Sequence, residues 1–417
     1  MLPLYGLLAL LGSAVCAFGA VQPWSSFGLE AGAILLFLVV LGQWVFGERS
    51  LVLAPTYAPL ALMLVTAAAQ LLLHRTVSSY QTGEQALLWV AYAALCVVAA
   101  QVTRQRDELM QFAVAIVIFG TALALFAVVQ DLTSNGRLYW VVLPRIANSI
   151  YGPYVNHNHY AGLLEMLAPF PFVLAGLRSN AGPRRAALIF AGLVMAGSVV
   201  ASGSRGGVMA LGAEAIFFLL VGRKGSSGKQ VLRMAILLAL FGGSAFLLSR
   251  TVTMEHFSET LLNPSRDVSF STRWNILRDC RHLVAARPVL GWGLGTFEDV
   301  YPRYQSFYAA AVMNAAHNDY AQFLVESGVI GFAAFLWLVM VVYRSGLTHL
   351  ADWHERSSRA ICFAAMMGVT GLLAHSWTDF NLEIPANAAV FLVLCTVVTR
   401  ADSEVDPSPS KVLITMR

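Results

Sequence analysis

Long apolar stretches, repeated along the whole chain, restrict its fold more than any other feature. A helix that crosses the ~30 Å hydrocarbon core of a bilayer needs about 20 mostly apolar residues, and it must satisfy its own backbone hydrogen bonds there. We therefore predict an all-α chain, a polytopic transmembrane helical bundle of about 12 spans. The candidate spans are Leu4–Val21, Leu29–Phe46, Tyr57–Leu73, Ala86–Val102, Met110–Gln130, Ala161–Leu177, Ala187–Ala201, Gly207–Val221, Met234–Leu248, Gln322–Tyr343, Ala360–His375 and Asn387–Thr399.

The composition excludes a soluble protein. Hydrophobic residues make up 58% of the chain and charged residues 12%, whereas soluble domains carry about 25% charged residues. A net charge of +4 and the lack of any RNA- or DNA-binding motif give no reason to expect nucleic acid as a partner. The apolar N-terminus lacks the basic residues that begin a signal peptide, so we interpret it as a retained first span.

Lysine and arginine orient the predicted spans, because cytoplasmic loops carry an excess of both. With a cytoplasmic N-terminus, sixteen of the 27 basic residues lie in inside segments, and seven of the other eleven lie in one long loop. Long loops obey the charge rule poorly. The pattern predicts one membrane domain over residues 1–417 with both termini cytoplasmic, outward segments at 131–160 and 250–321, and a disordered cytoplasmic tail at 401–417.

A glycine-rich turn with one arginine, Ser202–Gly207, lies between two short candidate spans on the outward side. Arg205 at a membrane boundary is costly if it faces lipid, which favours a cavity or an anionic partner. The glycines allow close approach and expose N–H donors at a helix start, where anions are favoured. The alternative is an arginine that snorkels to the interface from a flexible turn.

The segment from Ser271 to Pro288 predicts an amphipathic helix lying on the membrane face. Its apolar stripe contains Ile276, Leu277, Cys280, Leu283 and Val284, and the polar residues Arg278, Asp279, Arg281 and His282 lie off that stripe. Arg273 interrupts the apolar stripe, so its charge needs an anionic partner. That partner is either a substrate or, in an internal salt bridge, Asp267 or Asp299.

Two histidine-containing segments each precede a candidate span. His317, Asn318, Asp319 and Tyr320 begin one, and Asp319, Gln322 and Glu326 recur at helical spacing, which predicts a polar stripe facing a cavity. The alternative for His317 is a hydrogen-bonding residue at a helix start. The other segment is Asn156–Tyr160, where two histidines are too few for a zinc site and polar contacts to sugar are favoured.

The absence of several motifs narrows the chemistry. The outward segments contain no Asp-x-Asp pair for holding a divalent ion against a nucleotide sugar. A P-loop, a Gly-x-Ser-x-Gly elbow and a His-Glu-x-x-His motif are also missing from the sequence. These absences argue against nucleotide-driven, serine-hydrolase and metalloprotease activities.

The order of these motifs resembles the O-antigen ligase superfamily. The resemblance rests on the Ser202–Gly207 turn, Arg273 with Trp274, the segment from Arg287 to Phe297, and the segment from His317 to Gly331. The superfamily also contains O-antigen and exopolysaccharide polymerases and bacterial protein O-oligosaccharyltransferases. The resemblance implies a fold similar to lipid-donor membrane glycosyltransferases, in the bacterial inner membrane, with the active site on the periplasmic face and 250–321 as a large periplasmic loop.

The resemblance also implies a reaction, in which a glycan moves from undecaprenyl pyrophosphate to an acceptor without a metal or cofactor. Arg205 and Arg273 would hold the pyrophosphate and His317 would act as base, with inversion at the anomeric carbon. Further substrate contacts are expected from Asn156, His159, Tyr160, Arg287, Asn318, Asp319 and Tyr320.

The motifs leave the acceptor open. A ligase uses lipid A–core, which we favour, and a polymerase uses a second lipid-linked glycan. A protein O-oligosaccharyltransferase is a third alternative. A polysaccharide flippase or transporter is the non-enzymatic one, but it would place ionisable residues near mid-bilayer. Here the outward arginines and histidines lie in loops and at span ends.

Overall fold

The computed structural model describes residues 2–47, 51–144, 150–222, 268–308, 312–348, 350 and 352–400. Within these ranges every regular element is helical, and there is no β-strand, so the all-α prediction is confirmed. The helices are α1 (Leu2–Cys16), α2 (Pro23–Val45), α3 (Tyr57–Leu72), α4 (Ser79–Val102), α5 (Arg106–Thr133), α6 (His157–Leu167), α7 (Pro169–Gly176), α8 (Gly182–Ala201), α9 (Arg205–Val221), α10 (Val268–Ala286), α11 (Phe297–Val300), α12 (Asp319–Thr348), α13 (Ser357–His375) and α14 (Pro385–Val398).

Six of these helices, α2, α4, α5, α8, α12 and α13, are long and apolar enough to cross a membrane. Helices α1, α3 and α14 are apolar but shorter. The stretch Ala161–Leu177, expected as one span, divides into α6 and α7, because Pro169 and Pro171 have no N–H for the preceding turn. The candidate span Met234–Leu248 lies outside the described residues. The count of 12 therefore stays a prediction.

The centre of the bundle is formed by α6, α13 and α14. Every residue of α14 is buried, and 78% of the apolar window of α13 is buried, against 22% for α2. Helix α2 therefore lies at the periphery, where apolar side chains such as Leu35 and Leu38 are exposed, as expected for a surface that contacts lipid.

The loops between the helices lie at two opposite ends of the bundle, as alternating spans require. At one end the side chain of Gln101 exchanges hydrogen bonds with the main chain of Val52 at 2.9 and 3.2 Å. Arg106 Nε donates to Ser357 Oγ there, at 2.9 Å. These contacts join segments that sequence analysis assigns to the cytoplasmic side.

The opposite end carries the segments assigned to the outward side. The N–H of Val77 donates to the carbonyl of Trp292 at 3.0 Å, and the N–H of Asp319 donates to that of Ser376 at 3.0 Å. Four of the exposed tryptophans belong to this end, namely Trp24, Trp140, Trp274 and Trp377. Exposed Trp44 lies at the other end of α2, as expected for aromatic belts at both membrane–water interfaces.

The loop from Arg287 to Phe297 is inserted against a break in α12. Gly328 has φ 63°, and a Cβ there would lie 2.4 Å from the carbonyl oxygen of Val289. The carboxylate of Glu326 accepts from the N–H groups of Gly295 at 2.8 Å and Phe297 at 3.1 Å. Glycine at 328 therefore allows the loop to dock on α12 directly beyond the His317–Tyr320 segment.

Candidate active site

The candidate site lies around the loop that joins α13 to α14, Ser376–Ile384. The segment before α12 is attached to this loop, since Asn318 Nδ2 donates to the carbonyl of Trp377 at 3.0 Å. The Asp319 carboxylate accepts from Ser376 Oγ at 2.6 Å and from the N–H of Leu382 at 3.3 Å. These bonds fix the main chain directly after His317.

His317 faces a buried carboxylate in this loop. Its Nδ1 lies 3.5 Å from Asp379 Oδ1, with 26% of the His317 side chain exposed and 1% of Asp379. The φ angle of His317 is 50°, a strained conformation for a non-glycine residue that is frequent at active sites. With Nδ1 turned towards Asp379, Nε2 lies at the opposite edge of the ring.

Arg273 contacts the same carboxylate. Its Nη2 lies 3.8 Å from Asp379 Oδ2, and its Nη1 donates to the carbonyl of Thr378. The side chain remains 29% exposed. The anionic partner that sequence analysis required for Arg273 is therefore Asp379. Asp299 is exposed and makes no such contact, and Asp267 lies outside the described residues.

The electrostatics of Asp379 follow from these two contacts. Burial alone would raise the pKa of its carboxyl group, because the charged form loses its hydration. The contact with His317 and the positive charge of Arg273 outweigh burial and hold the pKa of Asp379 well below its usual range. Asp379 is therefore ionised at neutral pH.

The first turn of α9, which begins at Arg205, approaches the loop. Ser204 caps this helix, with its Oγ accepting from the N–H of Gly207 at 3.1 Å. The carbonyl of Ser202 accepts from His157 Nδ1 at 2.6 Å, which attaches the turn to the start of α6. Arg205 is half-buried and precedes a glycine that fits tightly against the loop.

That glycine is Gly206, the residue whose lack of a side chain brings the turn to the site. A Cβ at Gly206 would lie 2.3 Å from His375 Nε2 and 2.9 Å from Thr378 Oγ1. Both distances are shorter than van der Waals contact, so no side chain fits. Because the carbonyl of Thr378 also accepts from Arg273, the turn that carries Arg205 and the Arg273 side chain both contact Thr378.

The residues at the start of α6 differ in their access to this site. His159 packs edge-on against Phe380 at 4.7 Å between ring centroids, and His317 packs on the same ring at 4.9 Å. Asn156 caps α6. Tyr160, in contrast, is fully buried and bonded to Ser198, so its side chain lies in the core.

The remaining predicted substrate contacts are bound within the protein. Asp319 is fully buried, and Tyr320 donates to the carbonyl of Leu373 at 2.5 Å. Arg287 stacks on Trp292 with 4.2 Å to the ring centroid. It lies fourteen residues beyond Arg273 along α10, about 20 Å at the helical rise. The structure therefore does not bring Arg287 to Asp379, and the roles of all these residues stay predictions.

Sequence analysis missed the loop that organises the site. Thr378 and Asp379 were outside the four features singled out, although the loop lies between two candidate spans on the outward side and carries an acid. The need of Arg273 for a counter-charge indicated that an acid lies near it, but it did not identify Asp379 among the acids of the outward segments.

The geometry brings together three elements with distinct chemical capacities. Two arginines from different helices supply positive charge and the planar donor geometry that suits phosphate. A partly exposed histidine faces a carboxylate 3.5 Å away, an arrangement that orients the ring and leaves its other nitrogen available to accept a proton. Together they can stabilise an anionic leaving group and deprotonate a hydroxyl.

Comparison with known proteins agrees with the motif order. The family model described as O-antigen ligase matches residues 190–336, a range that includes the Arg205 turn, α10 and His317. No curated protein matches the chain. The resemblance to the O-antigen ligase superfamily is thus confirmed, and this membrane protein resembles glycosyltransferases of the ligase and polymerase type.

Proposed function

We propose that the protein is an O-antigen ligase that moves a glycan from undecaprenyl pyrophosphate onto lipid A–core. The observation that carries the proposal is the shared carboxylate of Asp379, which lies 3.5 Å from His317 and 3.8 Å from Arg273. It links a candidate base to a candidate pyrophosphate ligand. The family match supports the class of reaction, and the donor, acceptor and mechanism are part of the proposal.

In this mechanism the arginines stabilise the leaving group. The bond between the anomeric carbon and the phosphate oxygen breaks, and the electron pair departs with the pyrophosphate, whose negative charge grows. Thr378 and Asp379 hold Arg273 before the reaction, and Arg205 begins a capped helix, so both arginines stabilise this charge with little reorganisation. The Arg273 side chain remains 29% exposed beside Asp379, and in this proposal the phosphate contacts its exposed part.

His317 takes the proton from the acceptor hydroxyl. The oxygen attacks the anomeric carbon opposite the departing phosphate, so the configuration inverts, and the proton passes to Nε2. Asp379 orients the ring through Nδ1 and stabilises the imidazolium that forms. Pyrophosphate is a good leaving group and needs no general acid.

The proposed setting is the periplasmic face of the bacterial inner membrane, with both termini cytoplasmic. The site lies at the bundle end that carries the predicted outward segments. Two arginines take the place that a divalent ion holds in other glycosyltransferases, so we propose a reaction that needs no metal or other cofactor.

A reconstituted reaction tests this proposal. Purified protein in lipid is supplied with an undecaprenyl-pyrophosphate-linked glycan and with lipid A–core, and products are separated by gel and mass spectrometry. Glycan attached to lipid A–core is the expected product. Longer glycans that remain on undecaprenyl pyrophosphate would instead identify a polymerase, and recovery of both substrates unchanged would contradict both activities.

A further inference from the structure

A second histidine–carboxylate pair lies beneath the site, inside the bundle. His375, at the end of α13, places Nδ1 3.1 and 3.0 Å from the two carboxylate oxygens of Glu165 in α6. The side chains are 1% and 0% exposed. Ionisable residues are costly among membrane helices and usually have a function there. No step of the proposed reaction uses this pair.

His375 contacts both parts of the site. Its Nε2 edge lies against Gly206, where a Cβ would be 2.3 Å away, so the ring supports the turn that carries Arg205. Its carbonyl accepts from the N–H groups of Thr378 at 2.8 Å and Asp379 at 3.2 Å. Thr378 Oγ1 donates to the same carbonyl at 3.1 Å.

We propose that Glu165 and His375 are positioning residues that set the distance between the two arginine-bearing parts of the site. The Glu165 carboxylate fixes the His375 ring, and the ring seats the Gly206 turn. The main chain of His375 holds the Thr378–Asp379 turn to which Arg273 is bound. The inference rests on the proposed function, because it explains how arginines from different helices meet one pyrophosphate.

The physical reason is the precision that catalysis needs. Preorganised charges stabilise a transition state only if they are held at the right distance, and a misplacement of about 1 Å can cost on the order of 10²-fold in rate. Arg205 lies on α9 and Arg273 on α10, and His375 contacts the backbone of both attachment points. A loose His375 ring therefore displaces one arginine relative to the other.

A nearby carboxyl group provides a matched control. Glu214 of α9 is also buried, and its Oε1 has no hydrogen-bond partner among the described residues. A Cβ at Gly371 would lie 2.1 Å from this oxygen, so Glu214 contacts α13 one turn before His375. Glu214→Gln changes a buried carboxyl group without altering the proposed contacts.

The first experiment compares three variants in the reconstituted transfer assay. Glu165→Val leaves His375 without its acceptor, and we expect kcat to fall about 10²-fold. Glu165→Gln keeps an oxygen that accepts from Nδ1–H, so kcat should stay within about fivefold of wild type, and Glu214→Gln within about twofold. Near wild-type turnover in Glu165→Val, or a loss in Glu214→Gln as large as that in Glu165→Val, would overturn the proposal.

The second experiment tests the contact with Gly206 and remains decisive if Glu165→Val does not fold. Gly206→Ala places a methyl group against Nε2 and should lower kcat about 10²-fold. His375→Asn keeps a donor near Glu165 but removes the edge that faces Gly206. The double variant should therefore recover at least about tenfold over Gly206→Ala. If the double variant shows the sum of the kcat losses of Gly206→Ala and His375→Asn on a free-energy scale, the two residues are not in a direct positioning contact.

Binding of undecaprenyl pyrophosphate separates failure of this inference from failure of the proposed function. If the wild-type protein binds this lipid but transfers no glycan, the function is wrong. Weaker binding in Glu165→Val and Gly206→Ala would still support the positioning role. If wild type transfers glycan and these variants bind and transfer normally, only the positioning role is wrong.

Discussion

Replacing Asp379 by Asn removes one negative charge from the contact that joins His317 to Arg273. In the transition state the protonated His317 gains about 5 kcal/mol of Coulomb energy from a carboxylate at 3.5 Å with an effective dielectric constant of 20. His317 is 26% exposed and Arg273 shares the carboxylate, so we expect about half of this to survive. Because 1.36 kcal/mol of activation free energy corresponds to a tenfold change in rate, Asp379→Asn should lower kcat by roughly 10²-fold.

The assay for this prediction is glycan transfer by purified Asp379→Asn protein in lipid, with Asp299→Asn as a matched control. Asp299 is an exposed acid on the same side of the protein, and its replacement should change kcat by less than about twofold. Equal activity of Asp379→Asn and wild type would refute the role assigned to the carboxylate.

The pH dependence of stability provides a second test of Asp379→Asn. Because the pKa of Asp379 is lowered on folding, the ionised group stabilises the fold above the unfolded pKa of about 3.9. That stabilisation is lost only as the pH falls through the lowered folded-state pKa. The difference in unfolding temperature between wild type and Asp379→Asn should be constant from about pH 8 to pH 5 and should shrink below about pH 4. A difference that disappears by pH 6 would contradict the lowered pKa.

Three further predictions concern the arginines, metal ions and topology. Arg273→Ala should lower kcat by roughly 10²–10³-fold, with partial rescue by Lys, which lacks the planar fork. Replacement of the exposed Arg278 by Ala is the control. If Arg273→Ala and Arg278→Ala are equally active, the role assigned to Arg273 is wrong. Transfer should survive excess EDTA, and a loss restored by Mg²⁺ or Mn²⁺ would contradict the replacement of a metal by arginines. In cells whose outer membrane has been permeabilised, a cysteine at Ser306 should react with a membrane-impermeant thiol reagent, and a cysteine at Gly225 should not. The reverse labelling would overturn the proposed orientation.

Helical structure was predictable because apolar stretches within a bilayer have few alternatives. The candidate span Tyr57–Leu73 is observed as α3, Tyr57–Leu72, and the predicted amphipathic stripe buries Ile276 and Leu283 in α10. Asp279 was placed off that stripe but is buried. Its Oδ2 accepts from Tyr301 Oη and the N–H of Ser306, both at 3.0 Å, and helical periodicity contains no information about such partners.

The candidate site was predictable only in part. Arg273 and His317 could be singled out because a charge in an apolar stripe and a histidine at a span end are locally unusual. Their common partner Asp379 is 106 and 62 residues away along the chain, respectively, and one sequence gives no signal for that proximity. The polar stripe of Asp319, Gln322 and Glu326 was expected to face a cavity, and Glu326 lines one. The carboxylates of Asp319 and Glu326 also accept hydrogen bonds from neighbouring loops, which the stripe did not predict.

The central claim is that His317 acts as base while the arginines hold the pyrophosphate, and paired measurements on His317→Ala test it most directly. Binding of a non-transferable undecaprenyl-pyrophosphate analogue and glycan transfer are measured on the same folded, membrane-inserted preparation. We expect analogue affinity within about threefold of wild type and turnover lower by about 10²–10⁴-fold. Transfer by His317→Ala at a rate near that of wild type would contradict the account.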